Sequence, residues 1–217
     1  MSRPSKSKID RRSAAKAALA EIDARGLEEF RLGNVAVRMG VKAPSLYHHF
    51  AGKDDLLAEA ARLLLLEGQL PEAVEGLDWR EELVRISCAS RRTILKHPHA
   101  AGLLLRFFPR RLLMGAYERW AEVLALNGVP AEWRMVVLEG SEKLTFGSAL
   151  FASAMKIRRI ELFNLQDAER YPFMAEAQEA NSLEDEQTFV AELRAFLHGV
   201  PIDRSPGDFL AAKPNGI

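Results

Sequence analysis

A chain of 217 residues with 48% hydrophobic content and equal numbers of acidic and basic residues has enough apolar material for one large or two small packed domains. A single cysteine, Cys88, excludes an internal disulfide and a thiolate-rich metal site, and the leucine run 63–66, bracketed by Arg62 and Glu67, is far too short for a membrane span. The net charge of zero is unevenly spread: residues 1–53 carry eleven Lys/Arg against five Asp/Glu, net +6, and the remainder is net −6, so an anionic partner is expected at the N-terminal end.

The basic start, Met1 to Lys8, lacks the apolar segment of a secretory signal, which predicts a cytoplasmic protein. A first helix is predicted from about Asp10 to Arg25, with Ala15, Ala18, Leu19 and Ile22 on one side and Gly26 closing it. Next comes the most informative stretch, residues 35–50. Val35, Ala36 and Met39 share one helical face, and Gly40 stands where a left-handed residue ends a helix. Val41 fills the turn, Pro44 suits the first turn of a new helix, and Leu46 and Phe50 return to the core at i, i+4. Two short helices around one tight turn are a helix-turn-helix, the second helix presenting Lys42, Ser45, Tyr47 and His48 outward to phosphates and base edges of a major groove. Upstream, Arg3, Lys6, Lys8, Arg11 and Arg12 form a candidate arm along a duplex backbone.

Beyond Phe50 only helices are predicted. Lys53-Asp54-Asp55 opens one whose stripe is Leu56, Leu57, Ala60, Leu63 and Leu64, a connector between two domains. After Pro71 and Gly76 another starts at a cap on Asp78 and runs through Leu83, Ile86, Ile94 and Leu95 to His97-Pro98. A short apolar helix near residues 100–107 follows, then one through Tyr117 and Trp120 to Leu126, ended by Asn127-Gly128. The segment from Ala131 to Ile157 is long and apolar on most of its circumference. A polar stretch around 164–168 precedes a last helix starting at Ser182-Leu183-Glu184-Asp185, with Phe189, Leu193, Phe196 and Leu197 on its apolar face; residues after Pro201 read as irregular and the final ten as frayed.

Gly26, Val35-Ala36, Gly40-Val41, Leu46-Tyr47-His48-His49-Phe50, Lys53 and Leu56-Leu57 together resemble the DNA-binding domain of the tetracycline-repressor (TetR/AcrR) family of bacterial transcription regulators. The resemblance covers the first quarter to third of the chain. One position departs from it: where relatives put Ser or Thr as N-cap of the first motif helix this chain has Arg31, followed by Leu32 and Gly33, so the burden of contact shifts to the second helix and the arm. The resemblance implies a homodimer joined by its last two long helices, two recognition helices about one duplex turn (~34 Å) apart, and a palindromic operator. Two large apolar faces near the C-terminus, which a monomer would expose, independently point to pairing. The resemblance also implies a ligand cavity among the central helices, where binding tilts the connector helix and changes the spacing of the recognition helices. Phe107, Phe108, Met114, Tyr117, Trp120, Trp133 and Phe146 are the aromatic or soft residues available to line it, each also a candidate for plain core.

Signals for catalysis are weak. His97-Pro98-His99 has no third ligand at a supporting spacing and reads as a helix terminator; adjacent acids Glu28-Glu29 and Asp54-Asp55 splay apart on a helix. The expectation is therefore not an enzyme, with no cofactor and no metal, but an all-α protein of two domains. Residues 1–52 form a three-helix DNA-binding domain, and residues 53–217 a helical effector-binding and dimerisation domain. Its expected role is a repressor released from double-stranded operator DNA by a small-molecule effector. Expected DNA contacts are Arg11, Arg12, Lys42, Ala43, Pro44, Ser45, Tyr47, His48 and Lys53; Ala43 offers a thymine only its methyl. The rival readings are a helical enzyme or carrier in which the motif is incidental, and a ligand-independent architectural DNA binder.

Overall fold

The structure, a computed structural model, describes residues 9–68, 71–158, 169–203 and 205–207. Among the described residues it contains ten helices and no strand. The expected arm at Arg3, Lys6 and Lys8, the polar stretch at 164–168 and the last ten residues lie outside the described residues. Two compact units emerge, residues 1–69 with 93–112 and residues 70–92 with 113–217. The boundary expected at 52/53 falls inside the first of them.

The first unit begins with α1 (Arg11–Arg25), which starts on a capping box: the Asp10 carboxylate accepts from the Ser13 N–H and the Ser13 hydroxyl accepts from the Asp10 N–H. Its buried face, Ala14, Ala15, Ala18, Leu19 and Ile22, uses small residues to pack α1 closely on α2 (Leu32–Arg38) and α4 (Lys53–Leu66). α2 packs in turn on α3 (Ala43–Tyr47). Gly40 has φ +67°, the left-handed conformation that an L side chain adopts only at a cost, so the sharp reversal between α2 and α3 depends on it. Leu46, Phe50, Leu56, Leu57 and Phe30, all at most 2% exposed, make the core on which the motif sits. The helix expected near 100–107 is shorter, α6 (Leu103–Arg106), because residues 98–102 are spent on turns; α6 packs on α4. His97 Nδ1 lies 2.6 Å from Asp23 Oδ2 on α1, and its Nε2 lies 3.0 Å from Glu67 Oε2 at the end of α4, so this histidine ties two helices of the unit together.

The second unit contains most of α5 (Trp79–Leu95) and α7 (Arg110–Leu126), and all of α8 (Ala131–Arg158), α9 (Pro172–Ala180) and α10 (Asp185–Gly199). Asp78 caps α5 as expected, its carboxylate accepting from the Arg80 N–H at 2.8 Å. Trp79, Leu83, Trp133, Val137, Phe189 and Leu193 anchor one apolar core, and Cys88 is buried with it, where desolvation pushes its thiol up. α10 starts at Asp185 rather than at Ser182, because Gln187 Oε1 reaches back to the Glu184 N–H at 2.9 Å and makes Glu184 the cap. The sequence reading missed α9: it buries no residue, so it has no apolar stripe to find.

Gly140 shows how closely α8 and α10 approach, since a Cβ there would run into the Phe196 ring. We expect Gly140→Ala to lower the melting temperature, because overpacking costs about 1–3 kcal/mol and exceeds the ~1 kcal/mol gained by alanine in a helix. Gly115→Ala on α7, where a Cβ meets nothing within 4 Å, should raise it instead. Thermal unfolding of both variants checks the pair.

Candidate nucleic-acid interface

The turn between α2 and α3 places one group of side chains outward. Tyr47 is 59% exposed, Lys42, Pro44 and His48 are exposed, and Ala43 and Ser45 are half-buried. Pro44 stands in the first turn of α3, where its missing N–H costs nothing. Lys53, the first residue of α4, holds its ammonium 5.5 Å from the centre of the Phe30 ring, which orients the charge while leaving it exposed. Arg31 is the N-cap of α2 and makes no side-chain capping bond, as the departure at that position led one to expect.

Arg11 and Arg12, adjacent in sequence, are used differently. Arg12 is exposed on the first turn of α1. Arg11 turns onto its own domain: Nη2 donates to Asp55 Oδ1 at 2.6 Å, Nη1 donates to Asp55 Oδ2 at 3.2 Å and to the His49 carbonyl at 2.5 Å, and the guanidinium stacks 4.4 Å from the Phe50 ring. Asp55 also accepts from the Ala51 N–H at 2.9 Å. The guanidinium of Arg11, then the Ala51 amide, hold the Asp55 carboxyl below its ordinary range despite partial burial. Arg11 thereby fixes the end of the motif to α1 and α4.

A second brace lies under α2. Glu21 is 3% exposed, and burial alone would push its carboxyl up. Asn34 Nδ2 donates to it at 2.8 Å, Arg38 Nη2 at 3.2 Å and Arg25 Nε at 3.1 Å, and together they hold it below the ordinary carboxylate range. A depressed pKa means that this stability is present above the unfolded glutamate value and is lost as pH falls through the folded one. Acid unfolding of the first unit should therefore shift in Glu21→Gln, whose stability should vary less with pH below about 4.5. Chemical denaturation followed across pH 3–6 measures it, and unchanged acid sensitivity would remove Glu21 from the account. The sequence carried a signal for this site, an acid beside Ile22 on an otherwise apolar helix face.

The expected effector residues are distributed over both units. Phe107 and Phe108, half-buried, belong to the first. In the second, Trp133 is in the core, Trp120 packs against it, and Tyr117 and Phe146 are half-buried, whereas Met114 is 56% exposed. The Tyr117 hydroxyl donates to the Glu142 carboxylate, linking α7 to α8.

Comparison with known proteins places this geometry. Residues 15–60, which span α1 through the first half of α4, match the bacterial regulatory proteins of the tetR family. Over these residues the chain is similar to the TetR family. An HTH-type transcriptional regulator of Saccharopolyspora erythraea is 34% identical over 87 residues, 40% of this chain and 36% of that protein, so the matched stretch spans little more than a third of that relative's length. The class D tetracycline repressor of Escherichia coli is 22% identical over 197 residues, 90% of each chain. A crystal structure of a TetR variant from Acinetobacter baumannii in complex with minocycline superposes on 88% of this chain and 93% of its own, with a TM-score of 0.74 at 22% identity. The fold of that structure is thus shared through both units, and among the described residues no helix is long and apolar enough to cross a membrane.

Proposed function

We propose that the protein is a cytoplasmic homodimeric transcriptional repressor, which binds a palindromic operator through residues 1–52 and is released by a small-molecule effector bound within residues 53–217. The observation that carries this reading is the outward set on α3 and α4, Lys42, Tyr47, His48 and Lys53, held on a braced core at the basic end of the chain. Tyr47, His48, Lys53 and Arg12 reach phosphates, and Ala43, Pro44 and Ser45 face base edges. Arg11 contributes by holding the motif rather than as a free phosphate donor. Effector release is supported by the fold shared with a minocycline complex and by the half-buried aromatic residues of α7 and α8.

Salt titration of operator binding tests the assignment. Neutralising Lys42 or Lys53 with alanine should weaken binding to every duplex and make the log–log salt slope shallower by about one for each lost phosphate contact. An unaltered slope would remove the residue from the interface.

A further inference from the structure

The two short helices of the motif hold two side chains of the kind that read bases by paired hydrogen bonds, Asn34 and Arg38, since an amide matches adenine and a guanidinium matches guanine. Both belong to α2, and both are turned onto α1. Asn34 Nδ2 donates to Glu21 Oε1 at 2.8 Å and Arg38 Nη2 donates to Glu21 Oε2 at 3.2 Å, on a residue that is 3% exposed. Swinging either side chain out to a duplex would leave that buried charge short of a partner, so the stability of the domain opposes their use as readers. The outward row of α2 is Gly33 and Val37, one turn apart. Glycine has no side chain, and Val37, 80% exposed, has neither donor nor acceptor.

α3 continues the pattern. Ala43 offers a methyl, Pro44 a pyrrolidine ring, and Ser45 a single hydroxyl, which pairs with any base. The exposed cations stand elsewhere: Arg12 is in the first turn of α1, Arg31 and Lys42 are the N-caps of α2 and α3, and Lys53 opens α4. Charges at helix starts suit phosphates, which carry no sequence information. What remains between them to tell one base pair from another is apolar, and in the major groove the apolar feature of a base is the C5-methyl group of thymine.

We infer that each operator half-site is chosen through the methyl groups of two thymines, one seated on Ala43 and one on Pro44, while Asn34 and Arg38 brace α2 and read no base. This rests on the reading of residues 1–52 as the operator-binding domain and names the base feature that the domain selects.

The probe is the operator duplex recovered from genomic DNA by the full chain, with thymidine replaced by deoxyuridine one position at a time and binding followed by fluorescence anisotropy. Uracil keeps every hydrogen-bonding group of thymine and lacks only the methyl. At two positions of a half-site the replacement should weaken binding about fourfold, the value of one buried methyl, and at the other positions it should change nothing. Exchanging one of those two T·A pairs for C·G should also weaken binding, and methylating that cytosine at C5 should recover about fourfold. Ala43→Gly should lose the response to uracil at one of the two positions and keep it at the other. Arg38→Met should lower the melting temperature and leave the base preference as it was. The proposal is overturned if the wild-type chain prefers the operator yet tolerates uracil throughout both half-sites. It is also overturned if Ala43→Gly keeps both responses, if cytosine methylation recovers nothing, or if Arg38→Met changes the preferred base at any position. Failure of the wild-type chain to prefer any duplex would instead contradict the regulatory reading, and the proposal with it.

Discussion

Tyr47→Ala is expected to weaken operator binding by roughly 10- to 100-fold, about 1.4–2.8 kcal/mol, without affecting folding or dimerisation. Tyr47 shares α3 with Leu46, yet the two have opposite fates: Leu46 is 1% exposed in the core and Tyr47 is 59% exposed, so the ring of Tyr47 is held out by a helix that it does little to hold together. Removing it costs the interface an aromatic face and a hydroxyl donor and leaves the core as it was. Tyr47→Phe separates the two contributions, since it keeps the ring and loses only the phenol. Gel-shift titration gives the affinity, and light scattering the dimer. Unchanged affinity in Tyr47→Ala would count heavily against α3 as the element that reads DNA.

The largest effect on stability is expected at an exposed residue. Arg91 on α5 is only 1% exposed; its Nε donates to Ser148 Oγ at 2.9 Å, its Nη2 donates to Asp185 Oδ2 at 2.5 Å, and the guanidinium lies 5.2 Å from the Phe189 ring. The Asp185 side chain, at the start of α10, is 67% exposed. Asp185→Asn leaves the arginine buried without its counter-charge, and stranding a buried charge costs about 3–5 kcal/mol. For a chain of this size that corresponds to a fall of roughly 6–20 °C in melting temperature. Arg91→Met, which removes the charge and keeps much of the volume, should cost less than Asp185→Asn, because an apolar side chain in that place strands no charge. The neighbouring pairs Arg92–Glu186 and Arg194–Glu81 also join α5 to α10, but both are solvent-exposed, and breaking either should cost about 1 kcal/mol or less. Equal melting temperatures for Asp185→Asn and Glu186→Gln would contradict this ranking.

What could be read in the sequence was what is encoded locally. Gly40 and Pro44 announce a turn and a helix start within a few residues, and the i, i+4 spacing of Leu46 and Phe50 tells which side faces the core, so α2 and α3 were legible with their exposed residues. α5 and α7 were legible for the same reason, since each carries a long periodic pattern between prolines or glycines, and α8 was legible as a long apolar segment uninterrupted by proline after Pro130. α9 was not, because helix periodicity shows only when one face is buried, and α9 buries none. Contacts between residues far apart in the chain were also hidden. Arg11 looked like its neighbour Arg12, a free cation, until Asp55, 44 positions away, was brought beside it. Arg91 carried a signal that went unread: it falls on the stripe of Leu83, Val84, Ser87, Cys88 and Ile94, where a charge is out of place unless it is paired.

Selection of bound fragments from sheared genomic DNA by the purified full chain tests the central claim most directly, because it reports binding, sequence preference and symmetry together. An inverted repeat whose half-sites are centred about one helical turn, ~10 base pairs, apart should be enriched. Recovery of fragments with no shared sequence, or of a single asymmetric site, would contradict it.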